Sequence, residues 1–149
     1  MEANEKVRVL QAIYAGALAD SVLRLGNEGV LEKVTEQKRA EQLAGGKARA
    51  AQLGITSAEE VSTKLSDLMG CADWKVSANG KGKGFTAQAS RCMLCAFAKK
   101  MGAQSPCRIY CLDPMEGMVK ALDAHKDYRA ESTLFEGGEC RIVVSPAGK

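Results

Sequence analysis

Four of the six cysteines in this 149-residue chain fall within one short segment, RCMLCAFAKKMGAQSPCRIYCLDP, at residues 91–114. Cys92 and Cys95 form a CxxC motif, and Cys107 and Cys111 follow as a CxxxC motif. This spacing is close to that of tetrathiolate zinc sites, and an iron–sulfur cluster would use the same ligands. The four cysteines are therefore candidate metal ligands.

Two other interpretations of these cysteines stay open. Cys92 and Cys95 lie where a strand pattern changes to a helix pattern, and the start of a helix lowers a thiol pKa and favours the thiolate. Such thiols line ligand pockets or react with substrates. Reduced cysteine is also among the most buried residue types, and the neighbouring Phe97 and Tyr110 are typical of a core. A pocket wall and an inert core are thus the alternatives to a metal site.

Neither glycine-rich stretch of the chain fits a nucleotide-binding loop. A nucleotide-binding loop that ends at the Gly46-Lys47 pair of AGGKAR would begin with glycine at residue 41, which is a glutamate here. The next residue, Ala48, stands where the loop needs a hydroxyl to bind Mg²⁺. In GKGKGF, no hydroxyl follows either lysine. We therefore expect no nucleotide cofactor. A Cys–His catalytic pair is also disfavoured, because His125 is the only histidine and occurs in a polar turn.

Composition is that of an ordinary globular protein, with 46% hydrophobic and 26% charged residues. The net charge is +3 and aromatic residues make up only 5%, so a nucleic-acid-binding face is not expected. No apolar run approaches the roughly 18 residues of a membrane span. The N-terminus MEANEKVRVL does not resemble a signal peptide. We therefore expect a cytoplasmic protein with reduced thiols.

Hydrophobic periodicity predicts a single domain over residues 1–149, with a helical N-terminal part at 1–70. One helix covers residues 7–25, and a second covers 31–53 with a weak point at Gly45-Gly46. A third helix begins at Thr56, whose capping-box partner is Glu59. Apolar residues at helical spacing, Val7, Leu10 and Ile13 among them, form the stripe of the first helix.

Residues 71–149 switch to a ββααββ pattern. Period-two alternation predicts strands, and Pro114 is expected to break or kink the second helix of this part, with Asp113-Pro114 opening a further helix to about residue 122. The expected fold is α+β, with N-terminal helices and a four-stranded antiparallel sheet whose helices pack on one face. A thioredoxin-like redox role for the CMLC motif at residues 92–95 is disfavoured, because that role is associated with a βαβ unit of parallel strands and this pattern is antiparallel. The predicted strands cover residues 74–79, 85–91, 128–135 and 139–144.

The C-terminal third, CLDPMEG…ESTLFEGGECRIVV, resembles the L-2-amino-thiazoline-4-carboxylic acid hydrolase-like family. It is also similar to the wider superfamily of 4-vinyl reductase-type hydrocarbon-binding domains, to which the TRAPP vesicle-tethering subunits are distantly related. The resemblance covers residues 74–144, and the extra cysteines at 92, 95 and 107 depart from its pattern. The matching positions are Cys111, Asp113, Glu131, Thr133, Gly137, Gly138 and Cys140.

This resemblance implies an apolar pocket between helices and sheet that binds a small molecule or an acyl chain, and a tendency to form homodimers. In the hydrolase branch it implies water addition to a cyclic C=N bond, with Asp113 and Cys111 as catalytic residues. We therefore expect a small-molecule-binding domain whose cysteines bind metal or line the pocket. The alternatives are a C–N hydrolase and a structural protein clipped by zinc. Candidate ligand-binding residues are Phe97, Tyr110, Thr133 and Cys140.

Overall fold

The computed structural model describes residues 1–147, which form five α-helices and one four-stranded antiparallel sheet. A 3₁₀ turn (Ala58–Glu60) precedes the third helix, and a π-helical turn (Arg108–Leu112) leads into the fifth. The helices are α1 (Ala3–Asn27), α2 (Leu31–Gln52), α3 (Val61–Met69), α4 (Met93–Met101) and α5 (Asp113–Leu122). The strands are β1 (Lys75–Ala78), β2 (Phe85–Ala89), β3 (Lys126–Ser132) and β4 (Cys140–Pro146).

The sheet has the order β1-β2-β4-β3, with every neighbouring pair antiparallel. Side chains alternate along β4, so that Cys140, Ile142 and Val144 point into the core. Met115 and Met118 of α5 belong to the same buried cluster as these strand residues. The predicted α+β fold, with N-terminal helices followed by a four-stranded antiparallel sheet and helices packed against it, is confirmed.

The further helix predicted to open at Asp113-Pro114 and to end near residue 122 is confirmed as α5, but the chain is not broken before it. The chain is helical from Cys107 to Leu122, with the π-helical turn immediately before the proline. There the N–H of Asp113 bonds to the carbonyl of Arg108, five residues earlier. This wider turn gives room to the proline ring, which in a regular helix clashes with the carbonyl four residues before it.

Helix α2 is likewise continuous through Gly45-Gly46, contrary to the predicted weak point. Gly46 is buried where α2 crosses α5, and a Cβ placed on it would overlap the carbonyl of Gly117. A Cβ on Gly117 would in turn lie 2.9 Å from the carbonyl carbon of Gln42. The two glycines therefore allow the backbones of α2 and α5 to touch.

The start of α3 differs from the predicted capping box. Ser57, not Thr56, occupies the N-cap position of the 3₁₀ turn that precedes the helix. The hydroxyls of Thr56 and Ser57 both donate to the carboxylate of Glu60, at 3.0 and 2.9 Å. The acidic partner is thus Glu60, one residue after the predicted Glu59, because the tighter 3₁₀ turn changes the register of the side chains.

The first half of α1 extends beyond the core, and its apolar stripe is largely exposed. Leu10 and Ile13 are 63% and 61% exposed, and the first buried residue of the helix is Ala15. The predicted helix is therefore present, but this part of its apolar stripe does not face the core. None of the helices in this range combines the length and apolarity needed to cross a bilayer.

The contact of α2 with α5 yields a stability prediction. Gly46→Ala should lower the free energy of unfolding by about 1–3 kcal/mol, because the added methyl group overpacks the crossing. Gly45→Ala is the matched control, since a Cβ there meets nothing within 4 Å. It should raise stability by up to about 1 kcal/mol, because alanine favours helices. Urea unfolding measures both, and equal effects would contradict the proposed close contact.

Candidate functional site

All six cysteines line one cavity of about 180 Å³, which we call the thiol cavity. It lies among the five helices and the sheet, and all six thiols are free. Most of the remaining wall is apolar and is contributed by several elements that are distant in sequence. Its larger apolar side chains include Leu18, Leu65, Trp74, Leu94, Ile109 and Met118.

Cys95 and Cys107 form the closest pair of thiols, with 3.6 Å between their Sγ atoms. Both are buried, Cys95 within α4 and Cys107 at the start of the next helical segment. Hydrogen bonding between the two thiols raises the pKa of Cys95 and lowers that of Cys107, as expected when Cys95 keeps the shared proton. The two cysteine motifs of the sequence thus meet through this pair.

Cys92 is the N-cap residue of α4, and its sulfur accepts the N–H of Cys95 at 3.4 Å. Cys71 lies beside it, because the backbone N–H of Met93 donates to the Cys71 carbonyl and Ala72 forms an isolated antiparallel β-bridge with Cys92. Hydrogen bonds from the Cys71 and Cys95 thiols lower the pKa of Cys92. Cys92 is therefore the thiol in the cavity that is best stabilised as a thiolate.

Cys111 and Cys140 line the same cavity, and burial keeps both of them neutral. Burial raises the pKa of the Cys111 thiol well above its usual value and that of Cys140 to about 11. Cys140 opens β4 opposite Ala89, and its sulfur accepts the N–H of Leu134 at 3.1 Å. These two thiols are thus neutral parts of the wall.

A second, open cleft of about 800 Å³ lies against the outside of the same region, and we call it the entrance cleft. Cys71, Cys92 and Cys95 line both the entrance cleft and the thiol cavity. Arg91 and Lys99 bring positive charge to the cleft, and Asp73 brings one carboxylate. A reagent from solution therefore meets the thiol group first at Cys71 and Cys92, which are half-buried.

Three of the four predicted ligand-binding residues line the thiol cavity. Tyr110, Thr133 and Cys140 are part of its wall, and the Tyr110 hydroxyl lies 2.8 Å from Ser21 Oγ. Phe97 is not part of the wall but packs in a small cluster with Ala19 and Leu94.

The two predicted catalytic residues are not brought to one place. Cys111 lines the thiol cavity, whereas Asp113 is not part of its wall and faces α2. Arg39 Nη1 lies 3.0 Å from Asp113 Oδ1 and 2.8 Å from Glu116 Oε1, so a single guanidinium bridges both carboxylates. Asp113 is thus an ion-pair partner at the crossing of α2 and α5.

The four predicted metal ligands all line the thiol cavity. Within residues 1–147, however, no group of three or more His, Cys, Asp or Glu side chains is arranged to hold a metal ion. The residues present therefore do not supply a formed zinc or iron–sulfur site, and metal binding stays a prediction.

Several residues of the cavity wall are not predicted from the sequence, among them Cys71, Lys38 and Arg49. Cys71 follows α3 and reaches the site only through the bridge between Ala72 and Cys92, for which the sequence has no local signal. Lys38 and Arg49 come from α2. The polar face of α2 contains many charged residues, and nothing in its pattern marks these two.

Comparison with protein-family models, with curated proteins and with solved structures finds no match to this chain. The resemblance to the thiazoline hydrolase-like family therefore stays a prediction.

The pKa shifts predict an order of thiol reactivity. At pH 7, iodoacetamide should modify Cys92 about tenfold faster than Cys111 or Cys140, because alkylation proceeds through the thiolate. Peptide mass spectrometry over a time course measures the six rates. In urea-unfolded protein the six rates should become similar. Uniform rates in the folded chain, or fastest labelling of Cys111, would contradict the assigned electrostatics.

A pH prediction follows from the carboxylates beside Arg39. Burial alone would raise the pKa of Glu116, but hydrogen bonds from Arg39 and Lys120 outweigh it and hold the pKa below 4.5. The stabilising contribution of Glu116 is therefore full above pH 4.5 and is lost as the pH falls through its folded-state pKa. Glu116→Gln should lower the free energy of unfolding by about 2 kcal/mol at pH 7.

Asp113→Asn is the control for this measurement. Burial raises the pKa of Asp113, so its ionised form gains no stability on folding and the substitution should cost less at pH 7. Urea unfolding at pH 7 and at pH 3 distinguishes the two carboxylates. A deficit of Glu116→Gln that is unchanged at pH 3 would show that the ion pairs are not its cause.

Proposed function

We propose that this protein binds a small, mainly apolar molecule in the thiol cavity, and that its cysteines form the wall of that site. The observation that carries the proposal is the cavity of about 180 Å³ lined by all six cysteines and by large apolar side chains. An apolar cavity of about 150 Å³ is sufficient to bind benzene. The volume therefore suits a ligand built around a single ring.

The wall also indicates the charge of the ligand. Lys38 and Arg49 line the thiol cavity, and no Asp or Glu within residues 1–147 is part of its wall. Lys38 is half-buried, with its Nζ 6.0 Å from the centre of the Tyr110 ring. A ring that carries one carboxylate would place its apolar part among the thiols and its charge toward α2.

Sulfur atoms in the wall favour polarisable ligands. Neutral thiols donate and accept only weak hydrogen bonds, and sulfur makes favourable contacts with aromatic rings. Cys111 and Cys140, whose pKa values are raised, supply such neutral surface. Aromatic or sulfur-containing ring carboxylates are therefore the ligand class that we expect.

The remaining hypotheses stay predictions. Hydrolysis of a cyclic C=N bond would require a carboxylate in the cavity, and Asp113 is not part of its wall. A zinc clip or an iron–sulfur cluster would require ligands arranged around a metal ion. Homodimers remain an expectation, for which the exposed apolar stripe of α1 offers a surface.

Thiophene-2-carboxylate is a suitable probe for this site. It should bind the purified protein and raise its melting temperature, since a ligand that binds only the folded state stabilises it. Lys38→Met should weaken binding about tenfold, which corresponds to about 1.4 kcal/mol. Lys33→Met is the matched control, because Lys33 is exposed on α2 and is not part of the cavity wall.

Cys111→Leu tests the cavity independently of charge. The larger side chain should fill part of the volume and abolish binding of the probe, whereas Cys111→Ala should retain it. Circular dichroism verifies that both variants fold.

Native mass spectrometry of freshly purified protein completes the test, because an organic adduct supports the proposal and a zinc or iron–sulfur adduct favours the metal alternative. If no adduct is found and the probe does not bind, the proposed ligand binding in the thiol cavity is contradicted.

A further inference from the structure

Four of the thiols are neighbours in the wall of the thiol cavity, and we call them the thiol chain: Cys71, Cys92, Cys95 and Cys107. The residue after Cys71 forms a β-bridge with Cys92, Cys92 Sγ accepts the backbone N–H of Cys95 at 3.4 Å, and Cys95 Sγ lies 3.6 Å from Cys107 Sγ. A disulfide bond requires about 2.05 Å between sulfurs. Closing the last pair therefore requires an approach of roughly 1.5 Å, within the reach of side-chain rotation.

The thiol chain runs from the surface to the interior. Cys71 and Cys92 are half-buried and line the entrance cleft, whereas Cys95 and Cys107 are only 3% and 6% exposed. A small molecule in the cleft therefore meets the half-buried Cys71 and Cys92 first, whereas Cys107 is not part of the cleft wall. Cys95 also lines the cleft but is almost fully buried.

We propose that the thiol chain performs dithiol–disulfide exchange, in which Cys92 attacks a small organic disulfide in the entrance cleft and the buried pair Cys95–Cys107 is finally oxidised. This activity does not depend on ligand binding in the thiol cavity. It would make the protein a reductant of low-molecular-weight disulfides, or a sensor of them.

The exchange takes place in three steps. The Cys92 thiolate attacks a disulfide RSSR, which forms a mixed disulfide Cys92–SR and releases one RS⁻. Cys95, after giving up its proton, attacks the Cys92 sulfur, which forms Cys92–Cys95 and releases the second RS⁻. Cys107 then attacks Cys95, so that Cys95–Cys107 forms and Cys92 leaves as the thiolate. In total two protein thiols are oxidised and one RSSR is reduced to two RSH.

Local structure favours Cys92 both as the first nucleophile and as the last leaving group. Its sulfur accepts the N–H of Cys95 at the first turn of α4, where the positive end of the helix stabilises a thiolate. A serine at this position would still cap the helix, so Cys92→Ser removes the sulfur while the fold is kept.

The test uses the full, reduced chain and 2-hydroxyethyl disulfide as the probe, without oxygen. After acid quenching and alkylation with N-ethylmaleimide, peptide mapping identifies the disulfides. Wild-type protein should contain the Cys95–Cys107 disulfide and should release two equivalents of 2-mercaptoethanol per chain. Cys92→Ser should slow its formation at least about tenfold, since thiolate attack is then lost. Cys107→Ser should stop at Cys92–Cys95, and Cys95→Ser at a mixed disulfide on Cys92.

Urea-unfolded protein, treated identically, is the control and should contain a mixture of pairings. The same mixture in the folded chain would overturn the proposal, as would an unchanged rate in Cys92→Ser. A final Cys71–Cys92 disulfide would also overturn it, because the buried pair would then take no part. Circular dichroism of each variant before the reaction confirms that lost exchange does not reflect an unfolded chain.

Discussion

The backbone contact between α2 and α5 at Gly46 and Gly117 is the constraint on which the rest of this structure depends. It brings Arg39 of α2 against the buried carboxylates of Asp113 and Glu116, whose charges would be costly without that partner. It also positions α5 and the π-helical turn before it, so that Cys111 reaches the cavity. Scaffold and candidate site are therefore coupled through a contact that only glycine permits.

The second constraint is the junction between β2 and α4. The antiparallel ladder places Cys140 opposite Ala89, three residues before Cys92, and the bridge from Ala72 places Cys71 on the other side. Thiols from three separate parts of the chain thus surround the first turn of one helix. Each shared proton lowers the pKa of one sulfur and raises that of its neighbour, which gives chemically equivalent residues different roles.

The two proposed activities use different properties of the same wall. Ligand binding depends on the volume of the thiol cavity, on the neutral sulfurs of Cys111 and Cys140, and on the positive charges of α2. Disulfide exchange depends on the contacts within the thiol chain and on its exposure at the entrance cleft. Because Cys95 belongs to both the cavity and the chain, its oxidation would also change the surface that a bound ligand meets.

The sequence by itself determined the kinds of element, their order and the concentration of cysteines near α4, because periodicity, caps and turns depend on residues close together in the chain. Only the tertiary structure decided that Cys71 joins the site, that Asp113 pairs with Arg39, and that Pro114 lies within a continuous helix. Those outcomes depend on which distant backbones touch, and a local pattern does not encode the close approach at Gly46 and Gly117.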